Sequence, residues 1–174
     1  MAARDLRVLG AIVVLPPLLA ACSELGPAKP TTTFSPSATS AAPEARSVVT
    51  QAYVSFWDVS NRVVHDDAVN WRQELSTVAA EPQLSRMVTN LGNLQSRSIA
   101  VYGTTQEHVT KVDIDHDPVT VTDCQDASQS GQEDAWTHER RTVGIPRNPV
   151  SAHMQRGADG RWRVAEIIYP GGTC

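Results

Sequence analysis

Val150-Ser151-Ala152-His153-Met154-Gln155-Arg156 and Arg161-Trp162-Arg163-Val164-Ala165-Glu166-Ile167-Ile168-Tyr169 flank Gly157-Ala158-Asp159-Gly160. An Asp-Gly pair between two apolar-bearing runs signals a β-hairpin, because glycine takes the positive φ of a tight turn without steric cost. The C-terminal part of the chain is therefore read as antiparallel sheet. Working back from the hairpin, residues 136–144 read as a further strand and residues 125–134, which are polar, as a loop. The β-branched run 119–124 reads as a strand entered through a turn at Asp117-Pro118. In 108–115, Val112 and Ile114 alternate with Lys111, Asp113 and Asp115, and 98–106 reads as the first strand.

Before Gln95 the apolar period lengthens from two to nearly four. Val48, Val49, Ala52, Tyr53, Phe56, Trp57, Val63 and Val64 recur at three- and four-residue intervals, which predicts a long amphipathic helix with Pro43 near its first turn and its end near His65-Asp66-Asp67. A second helix carries Trp71, Leu75, Val78 and Ala79 on one face and stops before Pro82, since the residue ahead of proline resists the helical region. Pro82 suits the first turn of a third helix with Leu84, Met87, Val88, Leu91 and Leu94 inward. Three helices followed by five or six antiparallel strands define an α+β domain. This order, the aromatic-bearing first helix and the closing Asp159-Gly160-Arg161-Trp162-Arg163-Val164-Ala165-Glu166-Ile167 run resemble the NTF2-like superfamily over roughly residues 44–170. The resemblance implies three N-terminal helices packed on a curved antiparallel sheet that forms an open cone. That superfamily holds isomerases, dehydratases, carriers and non-enzymatic domains, so it does not imply one activity. Pairing of two such domains through their sheets is common in it, so a homodimer is one of the partners it implies.

Upstream of the domain, residues 23–43 carry Pro27, Pro30, Pro36 and Pro43 among Ser, Thr, Ala and Gly. So few large apolar groups read as a tether rather than a folded segment. The first 21 residues have Arg4 and Arg7 ahead of an almost wholly apolar stretch, 8–19, too short to span a bilayer and interrupted by Pro16 and Pro17. They end on Leu19-Ala20-Ala21-Cys22, which is similar to the lipobox of bacterial lipoproteins. That resemblance implies cleavage before Cys22, lipid attachment to its thiol, acylation of the new amino terminus, and a location on the extracytoplasmic face of a cell membrane. Two or three acyl chains anchor durably, at about 0.8 kcal/mol per buried methylene. An ordinary secretory leader with a chance cysteine and an uncleaved anchor are the other readings.

Composition narrows the partners. The chain has 174 residues, 15 Lys and Arg against 19 Asp and Glu, and a formal net charge of −4. An acidic balance speaks against a nucleic-acid partner. Lys29 and Lys111 are the sole lysines, a bias toward arginine that, with abundant Ala and Val, fits a GC-rich, actinobacterial-type genome. With Cys22 assigned to lipid, Cys124 and Cys174 remain, and in an exported chain they most simply pair. A free catalytic thiol is the competing reading, without a Cys-His motif behind it.

Few residues carry a chemical signature. Asp113-Ile114-Asp115-His116-Asp117 begins like a calcium loop, but Pro118 stands where the turn needs glycine and Cys124 where a bidentate glutamate belongs. A solvated strand face running into a turn is the alternative. His65-Asp66 offers a base with a neighbouring carboxylate, although adjacent helical residues point in different directions. His108, His138 and His153 fall on separate predicted strands, and the chain has no paired His or Cys spacing of a zinc site and no Gly-x-Ser-x-Gly elbow. No metal, cofactor or catalytic residue is assigned. Tyr53, Trp57 and Trp71 are candidate pocket-lining residues, with core packing as the alternative. The sequence thus points to a lipid-anchored binding domain for a small apolar ligand or another envelope protein. An NTF2-like isomerase, dehydratase or hydrolase and an envelope-assembly or host- and phage-contact module are its rivals.

Overall fold

The computed structural model describes residues 38–174; the leader, Cys22 and most of the tether lie outside the described residues. Three helices, α1 (Ala38–Val63), α2 (Ala68–Leu75) and α3 (Gln83–Ser96), precede six strands. These are β1 (Ile99–Tyr102), β2 (Val109–Asp113), β3 (Val119–Gln125), β4 (Gly131–Asp134), β5 (Asn148–Arg156) and β6 (Trp162–Ile168). The class is α+β. The strands make a four-stranded antiparallel sheet in the order β2-β3-β5-β6 and a two-stranded one, β1-β4.

The β5–β6 hairpin forms where the sequence places it. Arg156 lies opposite Trp162 and His153 opposite Glu166. Gly160 sits at φ +78°, and the Gly157 and Gly160 N–H groups donate to the carbonyls of Arg161 and Gly157 at 2.8 and 2.9 Å. The Arg163 guanidinium grips both oxygens of Asp159 at 2.9 and 2.7 Å and ties the turn to its own strand.

Four boundaries differ from the sequence reading. Helix α1 begins at Ala38 and takes Pro43 into its interior, so the last residues of the expected tether are helical. Ala38, Ala41 and Ala42 are strong helix formers, and the lone proline removes one backbone bond. Helix α2 ends at Leu75; Val78 lies in the turn that follows, and Ala79 bridges to Val164 instead of continuing the helix. Val164 N–H donates to the Val78 carbonyl at 2.9 Å and Ala80 N–H to the Val164 carbonyl at 2.8 Å, which covers part of the outer edge of β6. Strand β4 arises inside the expected polar loop because Gly131-Gln132-Glu133-Asp134 pairs with Tyr102-Val101-Ala100-Ile99. Residues 136–144 are not a strand, since one Asp134 oxygen accepts the N–H groups of Trp136 and Thr137, both at 3.0 Å, and turns the chain.

The core joins helices to strands. Val49, Tyr53, Phe56 and Val63 line one stripe of α1 and are almost wholly buried. They belong to one cluster with Trp71, Leu75, Leu84 and Leu91 from the other helices and Val121, Ala152, Met154 and Val164 from β3, β5 and β6. On β3 the inward positions are Val121, Asp123 and Gln125, with Thr122 exposed between them. Cys124 is bonded to Cys174, Cα to Cα 5.8 Å, across a separation of 50 residues. The Arg147 guanidinium donates to the Cys174 carbonyl and holds the same end of the chain.

Closing a loop of that length restricts the unfolded chain by about 4 kcal/mol in the chain-entropy account. The double variant Cys124→Ser, Cys174→Ser should therefore melt roughly 10 °C below the oxidised wild type. Calorimetry showing equal midpoints would mean that the bridge contributes nothing.

Candidate functional site

Tyr53, Trp57 and Trp71 do not line a common pocket. Tyr53 is fully buried, and its hydroxyl donates to one Asp123 oxygen at 2.7 Å. The other Asp123 oxygen accepts the His108 backbone N–H at 2.6 Å, so this carboxylate, 1% exposed, is held from two sides. Burial, with the hydrogen bond to Asp123 and its charge, pushes the Tyr53 hydroxyl well above its ordinary range, which keeps it a protonated donor. The Trp57 indole stands edge-on to the Tyr53 ring, centroids 6.2 Å apart. Its buried N–H faces the Tyr53 hydroxyl without reaching hydrogen-bond geometry, and the Gln125 side-chain amide, also buried, lacks an acceptor.

Glu107 lies at the rim of this knot. Its Oε1 accepts the Thr105 hydroxyl at 3.2 Å. Burial, and behind it the negative charges of Asp123 and Asp58, push the Glu107 carboxyl above the ordinary carboxylate range.

Trp57 separates the knot from an apolar cleft of about 370 Å³ between α1, α3 and the end of β6. Phe56, Met87, Ile167 and Tyr169 share its surface with the Trp57 indole, which also packs edge-on to Phe56 at 5.1 Å. The rim is fixed: Gln83 Oε1 accepts the Ile167 N–H at 3.2 Å, and Arg86 pairs with Glu166 at 3.0 Å. The volume lies within the range of small-ligand sites. Trp71 lies at a different cleft, of about 250 Å³, with Leu91, Leu94, Ile99 and Trp136, and its indole N–H donates to the Asp66 carbonyl at 3.0 Å. Tyr53 and Trp57 are one turn apart and only about 40° round α1, so the same side of the helix places Tyr53 inside the core and Trp57, partly buried against it, beside the cleft.

The polar motifs resolve into separate contacts. Asp113 accepts from His116 at 2.9 Å, from Lys111 at 3.1 Å and from the Asp115 N–H at 3.2 Å; these contacts, His116 first, hold its carboxyl down to about 2. Asp115 pairs with Arg46 at 3.3 Å. That segment is a solvated turn. His65 and Asp66 donate backbone N–H groups to the Arg62 and Val63 carbonyls at the end of α1. The three histidines expected on strands do not converge, and only His153 lies on one: His138 meets Glu133 at 2.8 Å, His153 meets Glu166 at 3.3 Å, and His108 offers its backbone to Asp123. Among the described residues no group of three or more His, Cys, Asp or Glu is placed to hold a metal. Asp123 and Gln125 were not anticipated from the sequence. Their signal was there: they continue the inward alternation of Val119 and Val121, where a carboxylate demands a partner.

No family model and no curated protein matches this chain. Among solved structures, the intermembrane-space region of chloroplast protein ARC6 is similar with a TM-score of 0.47 at 13% identity, over 74% of this chain and 95% of that one. A protein from Catenulispora acidiphila has a TM-score of 0.41 at 20% identity, over 75% and 94%. At these scores neither neighbour fixes the fold or the function of this chain.

The raised Glu107 carboxyl carries a pH signature. A carboxyl that resists ionisation in the folded state destabilises it as pH rises from the unfolded value through the folded one. Glu107→Gln should raise the denaturation midpoint at pH 8 and leave it unchanged below about pH 4, where both states are protonated. A variant no more stable than wild type at pH 8 would remove burial of this charge as a cost.

Proposed function

We propose that this protein is a lipid-anchored extracytoplasmic lipoprotein whose NTF2-like domain binds an apolar small molecule and performs no chemistry of its own. The observation that carries the binding reading is the cleft lined mainly by Trp57, Phe56, Met87, Ile167 and Tyr169, with Gln83, Arg86 and Asn90 as its polar members. Burying an apolar ligand there is favoured by about 25 cal/mol per Å² removed from water. The order of three helices and six strands, ending in the Asp159-Gly160 hairpin, supports the NTF2-like cone. The Leu19-Ala20-Ala21-Cys22 box supports the anchor, and the Cys124–Cys174 bond suits an oxidising compartment.

The enzyme reading finds less support. Tyr53 and Asp123, the best-placed acid–base pair, are sealed in the core and engaged with each other and with the His108 backbone. Docking of a protein through the sheet also has a weak basis. The face away from the core carries Thr120, Thr122, Ser151, His153 and Glu166, with Pro149 and Ile168 among its apolar members.

Native mass spectrometry of the full chain from its own host should show, beyond any lipid attached covalently at Cys22, a reproducible extra mass of apolar character that is lost on denaturation. Met87→Ala with Tyr169→Ala should remove that mass. A wild-type chain without any such mass would reject the small-molecule reading. For the anchor, Cys22→Ala should leave the leader uncut or release the protein from membranes; normal processing with full membrane retention would overturn it.

A further inference from the structure

A further cleft, of about 510 Å³, opens beyond the Arg86–Glu166 pair, where the α2–α3 connection and the β2–β3 turn meet the ends of β5 and β6. We propose that it is a binding site for a neutral saccharide, with a sugar ring stacked on Trp162.

The argument rests on the chemistry of the walls. Trp162 is half-buried and, with Pro82, Pro118 and Val119, supplies apolar surface suited to the C–H faces of a sugar ring. Between these surfaces stand Asp117, His153, Gln155, Arg156 and Glu166, all planar polar groups that together offer both donors and acceptors. Their charges offset one another, two carboxylates against Arg156 and the neighbouring Arg86, so the cleft favours neither a polyanion nor a polycation. A ligand that is apolar on its ring face and dense in hydroxyl donors and acceptors at its edge satisfies both kinds of wall. The Trp57 cleft is more apolar and has no carboxylate or imidazole in its lining, its polar members being Gln83, Arg86 and Asn90.

The walls are also held in place before any ligand arrives. His153 and Glu166 are register partners on adjacent strands, with Nδ1 and Oε2 3.3 Å apart, and Arg86 clamps the other Glu166 oxygen at 3.0 Å. Arg156 is fixed through its Nε, which donates to the Gly160 carbonyl at 3.0 Å, leaving its terminal nitrogens directed away from that bond. Groups positioned by strands and by ion pairs lose little freedom on binding. Asp117 and Gln155 are exposed and are the adaptable members of the set.

The test is a titration of the full chain, kept in a sugar-free detergent, with maltose, cellobiose and mannobiose, followed by ligand-observed NMR. At least one disaccharide should bind saturably with a dissociation constant in the millimolar range or tighter. Trp162→Ala should abolish that binding. Because Trp162 also contacts the core, the surface variants Asp117→Ala and Gln155→Ala serve as a check that leaves folding intact, and each should weaken binding about tenfold. Met87→Ala with Tyr169→Ala, which alters the other cleft, should leave it unchanged. No saturable binding by any of the three sugars, or binding indifferent to the Trp162, Asp117 and Gln155 variants, overturns the proposal.

Discussion

The hydrogen bond from the Tyr53 hydroxyl to Asp123 is the contact around which the domain is organised. A carboxylate 1% exposed among aliphatic neighbours is costly unless its oxygens are satisfied. Tyr53 satisfies one from α1 and the His108 backbone satisfies the other from the segment leading into β2. A single side chain on β3 thereby links a helix to two strands, and the geometry allows little sliding of any of the three. Removing Tyr53's hydroxyl would leave the carboxylate half-satisfied, which is a larger loss than the net worth of an average hydrogen bond.

Around that knot the apolar cluster follows simple periodicities. One stripe of α1 and the inward positions of β3 and β5 bury Val49, Phe56, Val121, Ala152 and Met154 together. The edge of this sheet is then covered from an unexpected source. The stretch after α2 leaves the helix to bond with Val164, and Gln83 at the start of α3 accepts the Ile167 N–H. Edge coverage and helix termination are thus the same event, since the carbonyl of Val78 and the N–H of Ala80 cannot serve both the helix and β6.

Two of the surface clefts differ in the chemistry of their walls. One is lined mainly by aromatic and aliphatic groups, the other intersperses a tryptophan with planar polar groups. Arg86 stands between them, reaching over Glu166. Trp57 similarly separates the apolar cleft from the buried knot, with one edge toward Tyr53 and its ring toward Phe56. The sealed polar groups therefore act on stability, while the clefts lie open at the surface.

Much was legible in the chain itself. The long apolar stripe of the first helix, the Asp159-Gly160 hairpin and the pairing of Cys124 with Cys174 follow from spacing, turn chemistry and cysteine count, all of which are local or arithmetic properties. What the sequence did not reveal was set by partners distant along the chain. Strand β4 is a polar stretch made a strand by Ile99–Tyr102, and Val78 with Ala79 leaves helical geometry to bond with β6. Whether Tyr53, Trp57 and Trp71 share a pocket depends on which way each ring leaves the core, and periodicity cannot settle that. It places all three on helices, while Asp123, on a strand 70 residues away, draws Tyr53 inward and leaves Trp57 at the cleft.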